Sequence, residues 1–161
     1  MIRSGLLGRI KESLDASGVT YVELGGVVPN PRLSLVRKGI ELCRKEGVDF
    51  LLAVGGGSVI DSAKAIGYGL ANDGDVWDFY CGKATAQKSL PTIGISTIAA
   101  SGSEFSEFAV LTNRETLEKN GTAASCLRLD ALIEDPSYTC GVNAYHTAAG
   151  VADTMSHVME G

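Results

Sequence analysis

The sequence predicts an α/β fold in which a mostly parallel sheet is flanked by helices, and three observations carry that expectation. Helix-period and strand-period patterns alternate along the chain. Phe50 to Val54 is a continuous apolar run of the kind buried on both faces of a parallel sheet. A glycine cluster, Gly55-Gly56-Gly57, follows that run and precedes a helical pattern, which is how a βα turn is built at the carboxyl end of a strand.

Taken in order, Ile2, Leu6, Leu7, Ile10 and Leu14 form a helical stripe over residues 2–17, ended by Gly18. Val19 to Leu24 is short, β-branched and aromatic, and is expected to be a strand. Gly25 to Pro31 is a turn, with Asn30 suited to cap the next helix and Pro31 to open it. Leu33, Val36, Ile40 and Cys43 then mark an amphipathic helix closed by Gly47. After the strand at 50–54, a helix runs from Ser58 to about Leu70, followed by a loop through Asn72, Asp73, Gly74, Asp75 and Trp77. Thr92–Thr97 and Phe105–Thr112 read as strands separated by a polar Ser/Gly segment at 101–104, with a turn at Asn113-Arg114-Glu115. Thr122–Leu129 and Ala131–Glu134 form another extended pair, Asp135-Pro136 opens a turn, and 143–160 reads as one or two helices.

Composition narrows the function classes. At 161 residues the chain is long enough for one domain that buries roughly 68–70% of its unfolded surface. A net charge of −5, with no Lys/Arg cluster interleaved with aromatics, argues against a nucleic-acid partner. No apolar run approaches the ~18 residues of a membrane span, and the N-terminus lacks the apolar stretch of a secretory signal, so a cytoplasmic protein is expected. Cys43, Cys81, Cys126 and Cys140 lack a C-x-x-C pair and read as reduced thiols.

Three places carry candidate chemistry. The first is Gly55-Gly56-Gly57-Ser58, where glycines admit an anion to the main chain and the helix behind offers unpaired N–H groups and a positive dipole end. There Ser58 is placed to cap the helix, with Asp61 at its third position; a plain capped βα turn fits the same residues. The second is Ser96 to Glu104, whose hydroxyls can donate to phosphate or ribose oxygens or simply close a Ser/Thr turn. The third is Asp153 and His157, four apart on one helix face, able to grip one cation together or to serve as a cap and a core histidine. His146 falls in an expected turn at Asn143-Ala144-Tyr145 and is read as structural or exposed.

These residues together resemble the iron-containing, or group III, alcohol dehydrogenases, in the branch of butanol dehydrogenases and broad aldehyde reductases. The resemblance rests on Gly25–Pro31, Gly55–Ala65, Val76-Trp77-Asp78-Phe79, Ala100–Glu104, Val110–Asn113 and Ala148–Asp153 with His157 and Glu160, in the family's order along the whole chain. It implies a dehydroquinate synthase-like nucleotide-binding domain over 1–142 and the start of a metal-binding helical domain at 143–161. It implies NAD or NADP as cofactor, with Asn30 near the adenosine side, Gly56, Gly57 and Ser58 on the pyrophosphate, and Asp61 near the nicotinamide half. Thr97, Ser101 and Ser106 would line the second side, with Val110 and Lys119 completing the cleft. Asp153 and His157 would be the first two ligands of a divalent ion, Fe2+ or Zn2+. The family takes two more histidines from a C-terminal helical domain, and its first strand and glycine-rich loop precede the residues matched by Ile2–Leu6. The resemblance therefore implies an internal fragment without that first strand and without the C-terminal helical domain.

The reaction implied is hydride transfer between NAD(P) and a small alcohol or aldehyde. The alternative is a non-catalytic dinucleotide-binding module or assembly partner; a related lyase would need a basic substrate pocket that the sequence does not display. Val151, Met155, Val158 and Met159 are expected to pack on the absent domain or to drive self-association. With Asp153 and His157 as the only ligands, the isolated chain is expected to show no robust alcohol oxidation when Fe(II) or Zn(II) is added, measured as NADH formation at 340 nm.

Overall fold

The computed structural model describes residues 5–160. Its sheet and helices follow the expected alternation, with corrections wherever an element depends on a distant partner. The first helix, α1 (Leu6–Ala16), buries only Leu6 and is closed by backbone bonds from Ser17 and Gly18 to its last turn; the expected start at residue 2 lies outside the described residues. The segment 19–24 carries no regular secondary structure and is not a strand, contrary to its composition. A strand is defined by a neighbour's N–H and C=O groups, and none of the described strands pairs with this segment. Lys11 ties it to α1 by an ion pair with Glu23.

The second helix, α2 (Leu33–Glu46), begins two residues later than expected, with Arg32 in the N-cap position. Asn30 is left-handed, with φ 60°, a conformation asparagine tolerates better than most residues. The carbonyl of Pro31 accepts from Thr112 N at 2.8 Å, and Arg32 forms a parallel bridge with Thr112. Those bonds keep residues 31–32 extended, so neither Asn30 as a cap nor Pro31 as the first helical residue is realised. Leu33, Val36, Gly39, Ile40 and Cys43 form the buried face of α2, and Gly47 in the left-handed region ends it.

β1 (Leu51–Gly55) leads into α3 (Gly57–Ala71), and α2 packs on α3 over a core that includes Leu33, Val36, Ile40, Ala65 and Ile66. The close approach uses small residues: a Cβ on Gly39 would lie 2.9 Å from Ile66 Cγ1. Where a loop through Trp77 was expected, Val76–Tyr80 forms a short helix, α4. Asp75 caps it by accepting from Trp77 N at 2.9 Å and holds Arg37 of α2 in a two-pronged pair at 2.9 and 3.1 Å. The cap and the cross-helix pair together turn the expected loop into a helix.

β2 (Thr92–Ser96) pairs in parallel with β1, and β5 (Ala131–Glu134) pairs in parallel with β2, giving the order β1-β2-β5. The register places Gly55, Ser96 and Glu134 in one row at the carboxyl edge. Between β2 and β5, β3 (Phe108–Asn113) and β4 (Glu118–Ala123) form an antiparallel hairpin that packs on α3. The expected strand over 122–129 is divided: its start belongs to β4, and Ser125–Leu127 is a single 3-10 turn. Pro136–Thr139 is another such turn, capped by Asp135. One helix, α5 (Ala144–Glu160), completes the described residues, with Tyr145, Val151, Met155, Val158 and Met159 exposed. No described helix is long and apolar enough to cross a membrane.

Two measurements check this packing. Leu111→Ala removes a fully buried side chain from β3 and is expected to cost about 2–5 kcal/mol in chemical denaturation. The Arg37 guanidinium holds the Asp75 carboxyl below the usual carboxylate range. Ionised Asp75 therefore stabilises the fold above the ordinary carboxylate pKa, and that contribution is lost as pH falls through the depressed value. Asp75→Asn is expected to lower Tm at neutral pH, and the difference from the parent chain to shrink below about pH 4.

Candidate functional site

The carboxyl edge of the parallel sheet is where the chain gathers its polar side chains. Gly55 ends β1, Gly56 is the N-cap of α3, and Gly56 O accepts from Val59 N and Ile60 N in the first turn. Ser58 makes no cap hydrogen bond, and Asp61 is the fifth residue of the helix, beyond its first turn. Both placements differ from the expected cap and third position, because the cap falls two residues earlier, on the backbone of Gly56. Thr97 N donates to Gly55 O at 3.1 Å, joining the second loop to the glycine turn.

The two loops pack against each other directly. A Cβ on Gly56 would lie 2.7 Å from Ile98 Cγ2, and one on Gly57 would run into the Ser101 side chain. Gly56 and Gly57 are thus required by loop-on-loop contact, whatever else approaches the turn. Ser101 Oγ accepts from Ser103 N at 3.3 Å.

Asp61 and Lys64, one turn apart on α3, organise the segment that follows. Asp61 Oδ1 accepts from Ser103 Oγ at 2.5 Å, and Asp61 Oδ2 accepts from Val110 N at 3.3 Å. Lys64 is 1% exposed; its ammonium donates to the carbonyls of Ser103 and Ser106, each at 2.7 Å, and of Phe108 at 3.1 Å. Ser106 Oγ donates to Phe108 O at 3.2 Å and accepts from Phe108 N, so its hydroxyl shapes the loop's return into β3. Burial pushes the Asp61 carboxyl up, partly offset by Ser103, Val110, Lys64 and Lys119. Burial pulls Lys64 down, offset by Asp61 and by buried Glu104.

At the side of this edge Lys119 Nζ donates to Asn30 Oδ1 at 2.8 Å. Lys119 is paired across the hairpin with Thr112, which also holds Pro31, so one strand position fixes both partners. The fold therefore brings Gly56, Gly57, Ser58, Thr97 and Ser101 together at the two loops, ties Val110 to them through Asp61 and Ser106 through Lys64, and sets Lys119 of the Asn30–Lys119 pair close enough to act on Asp61. Lys64 is the member to which sequence reasoning gave no role, and Ser103 and Glu104 were read only as part of the second loop. A signal for Lys64 was present: it sits between Ile60 and Tyr68 at helical spacing, on the stripe that is otherwise buried and apolar.

The second group stands on α5. Asp153 Oδ2 lies 3.8 Å from His157 Nε2, both side chains exposed, on one helix face. A carboxylate and an imidazole suit a divalent first-row ion, and their alignment lets both reach one ion, leaving further positions to other donors. No group of three or more such side chains occurs among the described residues. His146 is not in a turn but in the first turn of α5, its N–H donating to Asn143 Oδ1 at 2.9 Å. Two surface hollows, of about 680 and 480 Å³, lie at the amino ends of the strands and are lined by Arg44, Asn72 and Lys88 and by Lys88, Arg128 and Asp130, away from every candidate residue.

The model of the family described as iron-containing alcohol dehydrogenase matches residues 1–136. NADH-dependent butanol dehydrogenase A of Clostridium acetobutylicum is 44% identical over 158 residues, covering 98% of this chain and 41% of that protein. The crystal structure of NADH-dependent butanol dehydrogenase A from Thermotoga maritima superposes with a TM-score of 0.93 at 40% identity, covering 98% of this chain and 40% of the other. Sulfoacetaldehyde reductase from Bifidobacterium kashiwanohense, solved in complex with NAD+, gives a TM-score of 0.80 at 33% identity over 88% of this chain and 37% of its own. The chain thus spans about two fifths of the length of these relatives.

The packing of the two loops has a direct test. Gly57→Ala gains up to ~1 kcal/mol of helix propensity but forces Ser101 aside, at a cost of about 1–3 kcal/mol. Amide exchange across 98–103 is expected to accelerate in this variant, and Ser101→Gly is expected to restore its protection.

Proposed function

The chain belongs to the iron-containing alcohol dehydrogenase family, and we propose that it holds the nicotinamide dinucleotide for hydride transfer between that cofactor and a small alcohol or aldehyde. The observation that carries this reading is the meeting of the glycine turn and the hydroxyl loop at the carboxyl edge of a parallel sheet, with Lys119, bonded to Asn30, close enough to act on Asp61. Open α/β sheets bind ligands outside that edge, and a helix N-terminus there suits a pyrophosphate.

In this reading Gly56, Gly57 and Ser58 offer backbone and hydroxyl donors to the pyrophosphate. Asn30 and Lys119 take the adenosine side, and Asp61, Thr97, Ser101, Ser106 and Val110 border the nicotinamide half. NAD is favoured over NADP because the relatives' names specify NADH and one solved neighbour is an NAD+ complex. When bound, the dinucleotide supplies hydride chemistry, and a divalent ion held in part by Asp153 and His157, Fe2+ in preference to Zn2+, supplies a Lewis acid at the substrate oxygen. Asp153 would offer a carboxylate oxygen and His157 one ring nitrogen to such an ion. In the proposed division, residues 1–142 serve the nucleotide and 143–161 begin the metal-binding part. The free thiols of Cys43, Cys81, Cys126 and Cys140 suit a reducing, cytoplasmic setting.

A second reading is dinucleotide binding without catalysis. Turnover of butanol with NAD+ and Fe(II) by the chain would remove it. For nucleotide binding itself the expected result is saturable enhancement of NADH fluorescence, weaker for NADPH. Lys119→Ala removes a charged donor and is expected to weaken NADH by about tenfold or more, since a charged hydrogen bond contributes roughly 1.5–3 kcal/mol. Absence of NADH binding by the unmutated chain would overturn the reading.

A further inference from the structure

The second loop owes its shape to a cation it encloses. Residues 103, 106 and 108 turn three carbonyl oxygens toward one point, and the Lys64 ammonium fills it with three donors for three acceptors. Three converging carbonyl dipoles repel one another unless a positive charge lies between them, so the loop's conformation and the ammonium stand or fall together. Ser103 is held twice from the same helix, its carbonyl by Lys64 and its hydroxyl by Asp61. Ser103 N in turn is bonded to Ser101, the residue that packs against Gly57. A continuous set of contacts therefore runs from Lys64 to the glycine turn.

Resting on the dinucleotide reading above, we propose that Lys64 is a positioning residue for nucleotide binding: its ammonium fixes the 103–108 loop so that Ser101, Ser106 and Asp61 keep the cleft in binding geometry. Lys64 is buried beneath the loop, with all its donors committed, and so acts through the loop and not by touching the nucleotide. The charge has a second effect on the same cleft. The charged groups acting on Asp61 are Lys64 on its own helix and Lys119 on β4; Asp61 in turn acts on Tyr80 of α4, and Glu104 of the second loop acts on Lys64. Removing Lys64 takes away one of the two cations that oppose the effect of burial on Asp61, so the carboxyl takes up its proton at higher pH.

The test compares Lys64→Met, which keeps length and loses charge and donors, with Lys64→Arg, which keeps both. Lys64→Met is expected to weaken NADH at least tenfold and to speed amide exchange across 103–110 while 51–54 and 93–95 stay protected. It is also expected to move the acidic limit of NADH binding upward in pH. Lys64→Arg is expected to recover most of the affinity and to leave the acidic limit in place. NADH binding by Lys64→Met within twofold of the parent, with an unmoved pH limit, overturns the proposal. If Lys64→Met does not fold, the unmutated chain decides by linkage: saturating NADH must slow exchange of the Lys64 ammonium protons, read by nitrogen-15 NMR. Unchanged ammonium exchange in a chain that binds NADH overturns the proposal. A parent chain that fails to bind NADH overturns instead the dinucleotide reading on which it rests.

Discussion

A buried ammonium with its full complement of acceptors is the constraint on which the polar edge of this protein depends. An isolated charge in an apolar interior is so costly that it is tolerated only when hydrogen-bonded and near opposite charge. Lys64 meets both conditions, with three carbonyls as acceptors and Asp61 and Glu104 as nearby anions. Its stem leaves α3 on the side that packs against the β3–β4 hairpin, so meeting those conditions joins the helix behind the glycine turn to the second loop. The hairpin's place follows, because β3 begins at Phe108, one of the three acceptors.

The hairpin in turn settles the opposite side. Thr112 bonds to Pro31 and bridges Arg32, which holds Asn30 in its left-handed conformation; Lys119, across the hairpin from Thr112, closes on the Asn30 side chain. Two stretches nearly ninety residues apart thus meet through one strand register. The glycines show the same logic in reverse. Gly56 and Gly57 look like a place for an anion, but the first demand on them is space for Ile98 and Ser101. An approach by phosphate to the remaining backbone donors is compatible with that demand and does not create it.

Much of the fold was legible before any coordinates. The parallel strands at 51–55, 92–96 and 131–134 and the helices at 33–46, 57–71 and 144–160 all carry local periodicity, capping glycines or β-branched runs. The glycine turn, the hydroxyl loop and the Asp153–His157 alignment were readable for the same reason: each is set by neighbours in sequence. The misread places share a different cause. Residues 19–24 had strand composition and no described strand beside them. Asn30 had the chemistry of a cap but lost that role to the Pro31–Thr112 bond, and Trp77 entered a helix because Asp75 found both a cap site and Arg37.

The sequence by itself determined the alternation of helices and strands, the parallel character of the sheet and the residue types gathered at its carboxyl edge. Those properties follow from side-chain periods of two and 3.6 residues, which act over a few positions. Only the tertiary structure decided that Lys64 is buried, that Asp61 answers to Ser103 and Val110, and that Asn30 meets Lys119. Those pairs are separated by 39 residues or more along the chain. No local pattern specifies which distant acceptor a charged side chain finds. That choice is made when desolvation forces every buried polar group to take a partner.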